Sequence, residues 1–200
     1  MLAPHRFGDR FFVPLAGRVD ADGQSPFWNA LGRKFFKMDF LEAERLIEGA
    51  RNRTLIVELM PHYPVYVPLL PGDAQAALGQ IHPGGQMAFD LLAQEGFEAD
   101  EYIDIFDGGP ILQAHKNALR SFCASHRLRV GAGPDSAPDV EPVDYAVATI
   151  DNGFRAVTVR SAPIEHASSI ALPRDVQQAL GVAPGDEVVC VRIQGEPACS

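Results

Sequence analysis

Two hundred residues, 46% of them apolar and 22% charged, suffice for one good core or one core with a small satellite, which excludes a disordered tail and a fibre. A formal net charge of −9 argues against a nucleic-acid partner, because affinity for a phosphate backbone rests on clustered Lys and Arg. The three cysteines, Cys123, Cys190 and Cys199, are widely spaced with no C-x-x-C pair, so neither a disulfide framework nor a zinc knuckle is predicted, no metal site is expected, and a reducing cytoplasm is the expected compartment.

The opening MLAPHRFGDRFFVPLAG places Arg6, Asp9 and Arg10 inside what would be the apolar core of a signal peptide. No later stretch approaches membrane-spanning length, so no membrane association is expected. SPFWNALGRKFF reads as a helix capped by Ser25 with Pro26 at its first position, burying Phe27, Leu31 and Phe35. MDFLEAERLIEGARNR repeats the pattern, with Asp39 as cap and Phe40, Ala43, Leu46 and Ile47 as the buried stripe. TLIVELM, at 54–60, reads as a strand, and His62, Tyr63 and Tyr66 follow in a proline-punctuated loop where aromatics more often pack than bind. A helix over Gln86–Glu95 turns Met87, Leu91 and Leu92 inward and ends at Gly96. His82 therefore stands in a turn just ahead of a helix N-terminus, an address that suits proton transfer and equally suits an inert loop residue. On composition alone His5, His62, His115, His126 and His166 are its equals.

YIDIF, at 102–106, reads as a strand running into the turn Asp107-Gly108-Gly109-Pro110, and Cys123 reads as a small core residue. The segment 131–144, GAGPDSAPDVEPVD, is too poor in large apolar side chains to order itself and is expected to be a linker between an α/β domain at 1–130 and a small β-rich domain at 145–200. In that second part YAVATI, FRAVTVR and EVVCVRI read as strands, the first two joined by a tight turn at Asp151-Asn152-Gly153. A short helix over Pro173–Leu180 is stopped by Gly181, and Pro184-Gly185-Asp186 turns into the last strand. IALPRDVQQALGVAPGDEVVCVRI is similar to small β domains that include swapped-hairpin DNA-binding regulators. It offers only Arg174 and Arg192 against Asp175, Asp186, Glu187 and Glu196, so a structural or subunit-contact role is expected instead.

Four stretches, SPFWNALGRKFFKMDFLEAE, IVELMPHYPVYVPLL, AQAALGQIHP and LLAQEGFEADEYIDIFDGGP, resemble in order and spacing the carboxy-terminal half of the bacterial arginine N-succinyltransferases. The likeness runs from about Phe7 through Pro110 and continues weakly to the last strand. It implies an α+β chain, the carboxy-terminal half of a GNAT-type acyltransferase-like fold followed by a small mostly-β domain. It implies transfer of succinyl from succinyl-CoA to the α-amine of arginine, the first step of arginine degradation, with succinyl-CoA as co-substrate and no bound cofactor. The histidine of the family's G-Q-x-H-P motif is its proton donor, and it falls on His82. Glu58, Asp104 and Asp107 are candidates to hold the substrate guanidinium, which suits planar carboxylate recognition.

Two departures from the family shape the expectation. Its amino-terminal half, whose glycine-rich turn holds the CoA pyrophosphate, has no counterpart here; GAGPDS at 131–136 reads as spacer, and CoA-binding residues are left unassigned. Where the family carries a pattern like E-M-R-G, this chain has Pro14-Leu15-Ala16-Gly17, and Pro14 is expected at a sheet edge. The partners expected are arginine or ornithine, succinyl-CoA, and a related succinyltransferase chain in a homo- or hetero-oligomer. The rival reading is a non-catalytic scaffold subunit of a full-length succinyltransferase.

Overall fold

The structure, a computed structural model, describes residues 8–50, 58, 60, 62–99, 101–131, 141–150 and 153–193, without the side chains of 47–50. The chain is α+β and forms two compact units, one of residues 11–93 and 97–114, the other of residues 1–10, 94–96 and 115–200.

β1 (Arg10–Pro14) and β2 (Ile111–His115), which belong to the first unit except for their end residues Arg10 and His115, make a two-stranded sheet, which leaves Pro14 on an edge as expected. Ser25 Oγ accepts the Trp28 N–H at 3.1 Å and starts α1 (Pro26–Ala30), with Pro26 where its missing N–H costs nothing. The helix does not continue as the sequence suggests. It breaks at Leu31 and resumes as α2 (Gly32–Phe36), and Gly32 thereby lies flat against the Trp28 ring. The break rotates the stripe: Phe27 and Trp28 are buried, whereas Phe35 is exposed.

A reciprocal capping box opens α3 (Phe40–Ala50). The Glu42 N–H donates to Asp39 Oδ1 at 2.9 Å, and the Asp39 N–H donates to Glu42 Oε2 at 3.2 Å. Phe40 and Ala43 are buried as predicted, but Leu46 is exposed, and the Ile47 side chain lies outside the described residues. Trp28, Phe36, Phe40 and Phe106 form the aromatic heart of this unit, with Phe40 stacked on Phe106 at 5.1 Å. The small Ala74 and Ala77 of α4 (Gly72–Ala77) are fully buried, and this helix packs beside α1.

The expected strand at 54–60 lies largely outside the described residues; within it Glu58 is helical and Met60 is buried. Tyr63 and Tyr66 are exposed rather than packed. α5 (Gln86–Glu95) ends at Gly96, whose φ of 107° is the left-handed region that glycine favours. Its expected inward stripe is not inward. Met87 is 76% and Leu91 61% exposed, Leu92 is half-buried, and no residue of the helix is fully covered. Amphipathic spacing tells which face of a helix seeks cover, not that the same unit supplies it. YIDIF is not a strand either. It makes one bridge, Ile103 to Pro110, and then turns, because Asp104 Oδ1 takes the Phe106 N–H at 2.9 Å and pulls the chain round.

The second unit holds α6 (Arg120–Cys123) and a five-stranded sheet in the order β5-β4-β7-β3-β6, made of β3 (His126–Gly131), β4 (Val143–Thr149), β5 (Ala156–Ser161), β6 (Ser169–Ala171) and β7 (Glu187–Arg192). The three predicted strands are present, and β4 and β5 pair antiparallel from Val143–Ser161 to Ala148–Ala156. The expected boundary at 131–144 differs from the one observed. β3 lies ahead of it yet sits between β7 and β6, so this unit takes up chain from His115 onward. A run with an Arg at alternate positions, His126-Arg-Leu-Arg-Val, reads as polar in sequence, but its Leu128 and Val130 alternate into the core. Leu128, Val130, Tyr145, Val147, Ile170 and Leu180 pack there, and α7 (Arg174–Leu180) is stopped by Gly181 at φ 73° as predicted.

Cys190 is free and buried in this core, whereas Cys123 is exposed and disulfide-bonded, which overturns the core reading of Cys123. Among the described residues no helix is long and apolar enough to cross a membrane.

Candidate active site

Residues 15–18 run as an extended strip between two loops and hydrogen-bond to both. Towards one loop the Arg18 N–H donates to the Gln80 carbonyl at 3.0 Å, and the His82 N–H donates to the Ala16 carbonyl at 2.8 Å, flanking an antiparallel bridge between Gly17 and Ile81. Towards the other loop the Leu15 N–H donates to the Pro110 carbonyl at 3.0 Å and the Gly17 N–H to Asp107 Oδ2 at 2.7 Å. Extended backbone turns successive N–H groups to opposite edges, which is why the strip can serve both sides. The chain opposite Gly17 has left the ladder in the turn at 105–107, and the Asp107 carboxylate accepts there in place of a main-chain carbonyl. A Cβ on Gly17 would stand 2.8 Å from the Asp107 carbonyl oxygen and the Gly109 nitrogen, so only glycine fits.

His82 is half-buried and immediately precedes a 3₁₀ turn, Pro83–Gly85, that runs into α5. Its Nδ1 accepts the Gly84 N–H at 3.0 Å, which places the ring proton on Nε2. No described residue hydrogen-bonds Nε2. His115 in the other unit has the same local arrangement, with Nδ1 accepting the Asn117 N–H at 3.3 Å ahead of another 3₁₀ turn.

Both carboxylate oxygens of Asp107 are engaged, Oδ2 by Gly17 and Oδ1 by the Gly109 N–H at 2.8 Å. Burial pushes its pKa above the ordinary carboxylate value, with these two N–H bonds opposing the rise. Asp104 lies in the same turn, half-buried, with Oδ1 on the Phe106 N–H and its own N–H on the Gly109 carbonyl at 2.7 Å. Glu58 is exposed, and its carbonyl oxygen lies 3.1 Å from His62 Nε2; no described bond ties it to the strip. The structure thus brings His82 and Asp107 to opposite edges of one strip and sets Asp104 beside Asp107. Ser25 was legible only as a cap. It is also completely buried, and its Oγ donates to the Asp107 carbonyl at 3.2 Å, a second bond for which the sequence carries no signal.

An open groove of about 280 Å³ in the same unit is lined by Phe27, Leu31, Tyr63, Val65, Ile103 and Ile105 among others, and by none of the three candidate acids. Among the described residues no His, Cys, Asp and Glu group could hold a metal ion.

Comparison with known proteins gives these residues a setting. Residues 1–121 match the family model "Arginine N-succinyltransferase beta subunit", and residues 126–192 match the model of that subunit's C-terminal domain. The chain is 44% identical over 192 residues to the arginine N-succinyltransferase subunit alpha of Pseudomonas aeruginosa, covering 95% of this chain and 55% of the relative. It is 36% identical over 195 residues to the arginine N-succinyltransferase of Salmonella paratyphi B, covering 96% and 54%. The solved structure of arginine/ornithine succinyltransferase subunit AI from Pseudomonas aeruginosa superposes with a TM-score of 0.77 at 40% identity, covering 96% of this chain and 53% of that one. The chain spans about half the length of the curated relatives it matches.

Proposed function

The chain belongs to the arginine N-succinyltransferase family, and we propose that it takes part in passing succinyl from succinyl-CoA to the α-amine of arginine, with His82 as the proton-transfer group. The observation that carries this reading is the orientation of the imidazole. Gly84 holds Nδ1, so the edge free of described partners is the one that bears the proton.

The reaction needs three proton movements. The α-ammonium must lose a proton before its nitrogen attacks the thioester carbonyl carbon; the carbon–sulfur bond then breaks, and the electron pair leaves on sulfur. With the Gly84 N–H released, Nδ1 of His82 takes up the proton that the α-ammonium sheds, so the ring is an imidazolium when its Nε2–H donates to that sulfur; the second proton, shed by the newly bonded nitrogen, passes to water, and exchange with water returns the ring to its Nε2–H form. A positioned group of this kind contributes about 10²–10⁴-fold to the rate. Glu58 and Asp104 stand as the candidates for the substrate guanidinium, whereas both oxygens of Asp107 already serve the main chain.

The GNAT-type half-fold and association with a second copy or a related succinyltransferase chain complete the reading, whereas the Cys123 disulfide removes the ground on which a reducing cytoplasm was expected. A neighbouring chain would also cover the exposed Met87 and Leu91 of α5. Ornithine is the alternative acceptor, as in the arginine/ornithine succinyltransferase subunit AI of Pseudomonas aeruginosa.

The test follows CoA thiol release from succinyl-CoA with arginine or ornithine, using this chain with and without a co-expressed related succinyltransferase chain. His82→Ala lowers turnover about 10²-fold or more, and His115→Ala, which removes an identical local cap, leaves it unchanged. Equal turnover for His82→Ala and the parent ends the catalytic claim and favours the scaffold reading.

A further inference from the structure

We propose that Asp107 is a positioning residue for His82, holding the 15–18 strip from its far edge so that the histidine's main chain is fixed on the near edge; this rests on the reading of His82 above. The connection has no gap. Asp107 Oδ2 accepts the Gly17 N–H at 2.7 Å, Ala16 is the next residue, and its carbonyl takes the His82 N–H at 2.8 Å. The carboxylate is itself held. Its other oxygen binds the Gly109 N–H at 2.8 Å, and its residue's carbonyl receives the buried Ser25 hydroxyl at 3.2 Å.

The geometry separates this role from substrate binding. A carboxylate that grips a guanidinium presents both oxygens to it as a fork. Here the two oxygens point at two main-chain nitrogens, and the residue is partly buried beneath a glycine with no room for a side chain. A short carboxylate is also the side chain that suits this place. An amide has one accepting oxygen, so Asn would meet one of the two N–H groups with its own NH₂. A serine would reach only one of them.

The experiment compares the parent chain with Asp107→Asn and Asp107→Glu by ¹H–¹⁵N spectroscopy of the labelled full chain, alongside kinetics in the assay above. Asp107→Asn displaces the backbone amide signals of Gly17 and His82 together and shifts the His82 ring nitrogens. It lowers kcat about 10-fold while KM for arginine stays within about 2-fold, and Asp107→Glu, which keeps two accepting oxygens, recovers part of the loss. A raised KM for arginine with unchanged His82 signals identifies Asp107 as a substrate ligand and overturns the proposal. Unmoved His82 signals overturn it whatever the kinetics, so the answer does not depend on His82 being catalytic. Should neither variant fold, amide exchange in the parent decides. Gly17 and His82 amides exchanging at matching rates support the shared strip, and His82 exchanging about 10-fold faster than Gly17 refutes it.

Discussion

Replacing Gly32 with Ala sets two effects of known size against each other. Gly32 is the first residue of α2, and on helix propensity alone Ala gains up to about 1 kcal/mol over Gly. The structure opposes this gain. A Cβ at position 32 would lie 2.2, 2.4 and 2.6 Å from three atoms of the Trp28 ring, whereas carbon atoms rest at about 3.5–4.0 Å. The ring or the helix would have to retreat by more than about 1 Å. Trp28 has nowhere to go. It is fully buried, its Nε1–H donates to the Met38 carbonyl at 3.2 Å, and its ring sits 5.3 Å from Phe36 and 5.0 Å from Phe106. Overpacking of this kind costs about 1–3 kcal/mol, and a clash this close belongs at the upper end, so against a propensity gain of up to about 1 kcal/mol Gly32→Ala is expected to be a net loss of about 2 kcal/mol. The sequence contains one tryptophan, so urea unfolding followed by intrinsic fluorescence reads this site directly. A lower midpoint with an unchanged slope is the expected result. A midpoint equal to or above the parent's would show that α2 slides away from the ring at no cost, and would refute the reading that the buried Trp28 ring leaves no room for a Cβ at position 32.

Two further outcomes follow from ionisation. The folded state holds the Asp107 proton more tightly than the unfolded chain does, so this group's stabilising contribution is fully present below the ordinary carboxylate pKa and is lost as pH rises through the raised folded value. The unfolding free energy of the parent relative to Asp107→Asn is therefore expected to rise as pH falls through that window, and a flat or opposite difference would contradict the burial of this carboxylate. Burial pushes the Cys190 thiol up to about 12, so mass-spectrometric mapping with a thiol reagent at neutral pH should find Cys190 unmodified in the native chain and modified after denaturation; native labelling would contradict it.

What the sequence disclosed was local chemistry. Ser25 with Pro26, Asp39, and Gly96 and Gly181 each act within one helical turn, and each is where its residue type predicts. The turn that carries His82 was legible for the same reason. Readings that failed depended on what lies across the fold. Phe35 and Leu91 have the spacing of core residues but no surface in their unit to meet, and the alternation of YIDIF was undone by one Asp side chain bonding two residues ahead. The Asp107 to Gly17 bond joins residues ninety positions apart, and no pattern in either segment announces it.

The pair of histidines shows why such distant bonds matter more for the site than the cap itself. His82 and His115 each precede a 3₁₀ turn, and each uses Nδ1 to accept the N–H two residues on. The cap is therefore a general solution to an unpaired donor: it fixes which ring nitrogen bears the proton in both residues and does not by itself tell the two histidines apart. The surroundings differ. Beside His115 stands the ion pair of Lys116 with Asp9, 2.6 Å apart and with the Asp9 side chain largely in solvent, an arrangement that water and salt can exchange freely. The His82 main chain is bonded to a strip whose opposite edge is fixed by a partly buried carboxylate with both oxygens engaged. A ring that must deliver a proton to a chosen atom needs its backbone fixed independently of the ring, because the Gly84 bond has to open when Nδ1 takes up a proton. The Ala16 carbonyl supplies that second anchor to His82 without using either ring nitrogen, so the imidazole can change protonation state while its Cα stays in place.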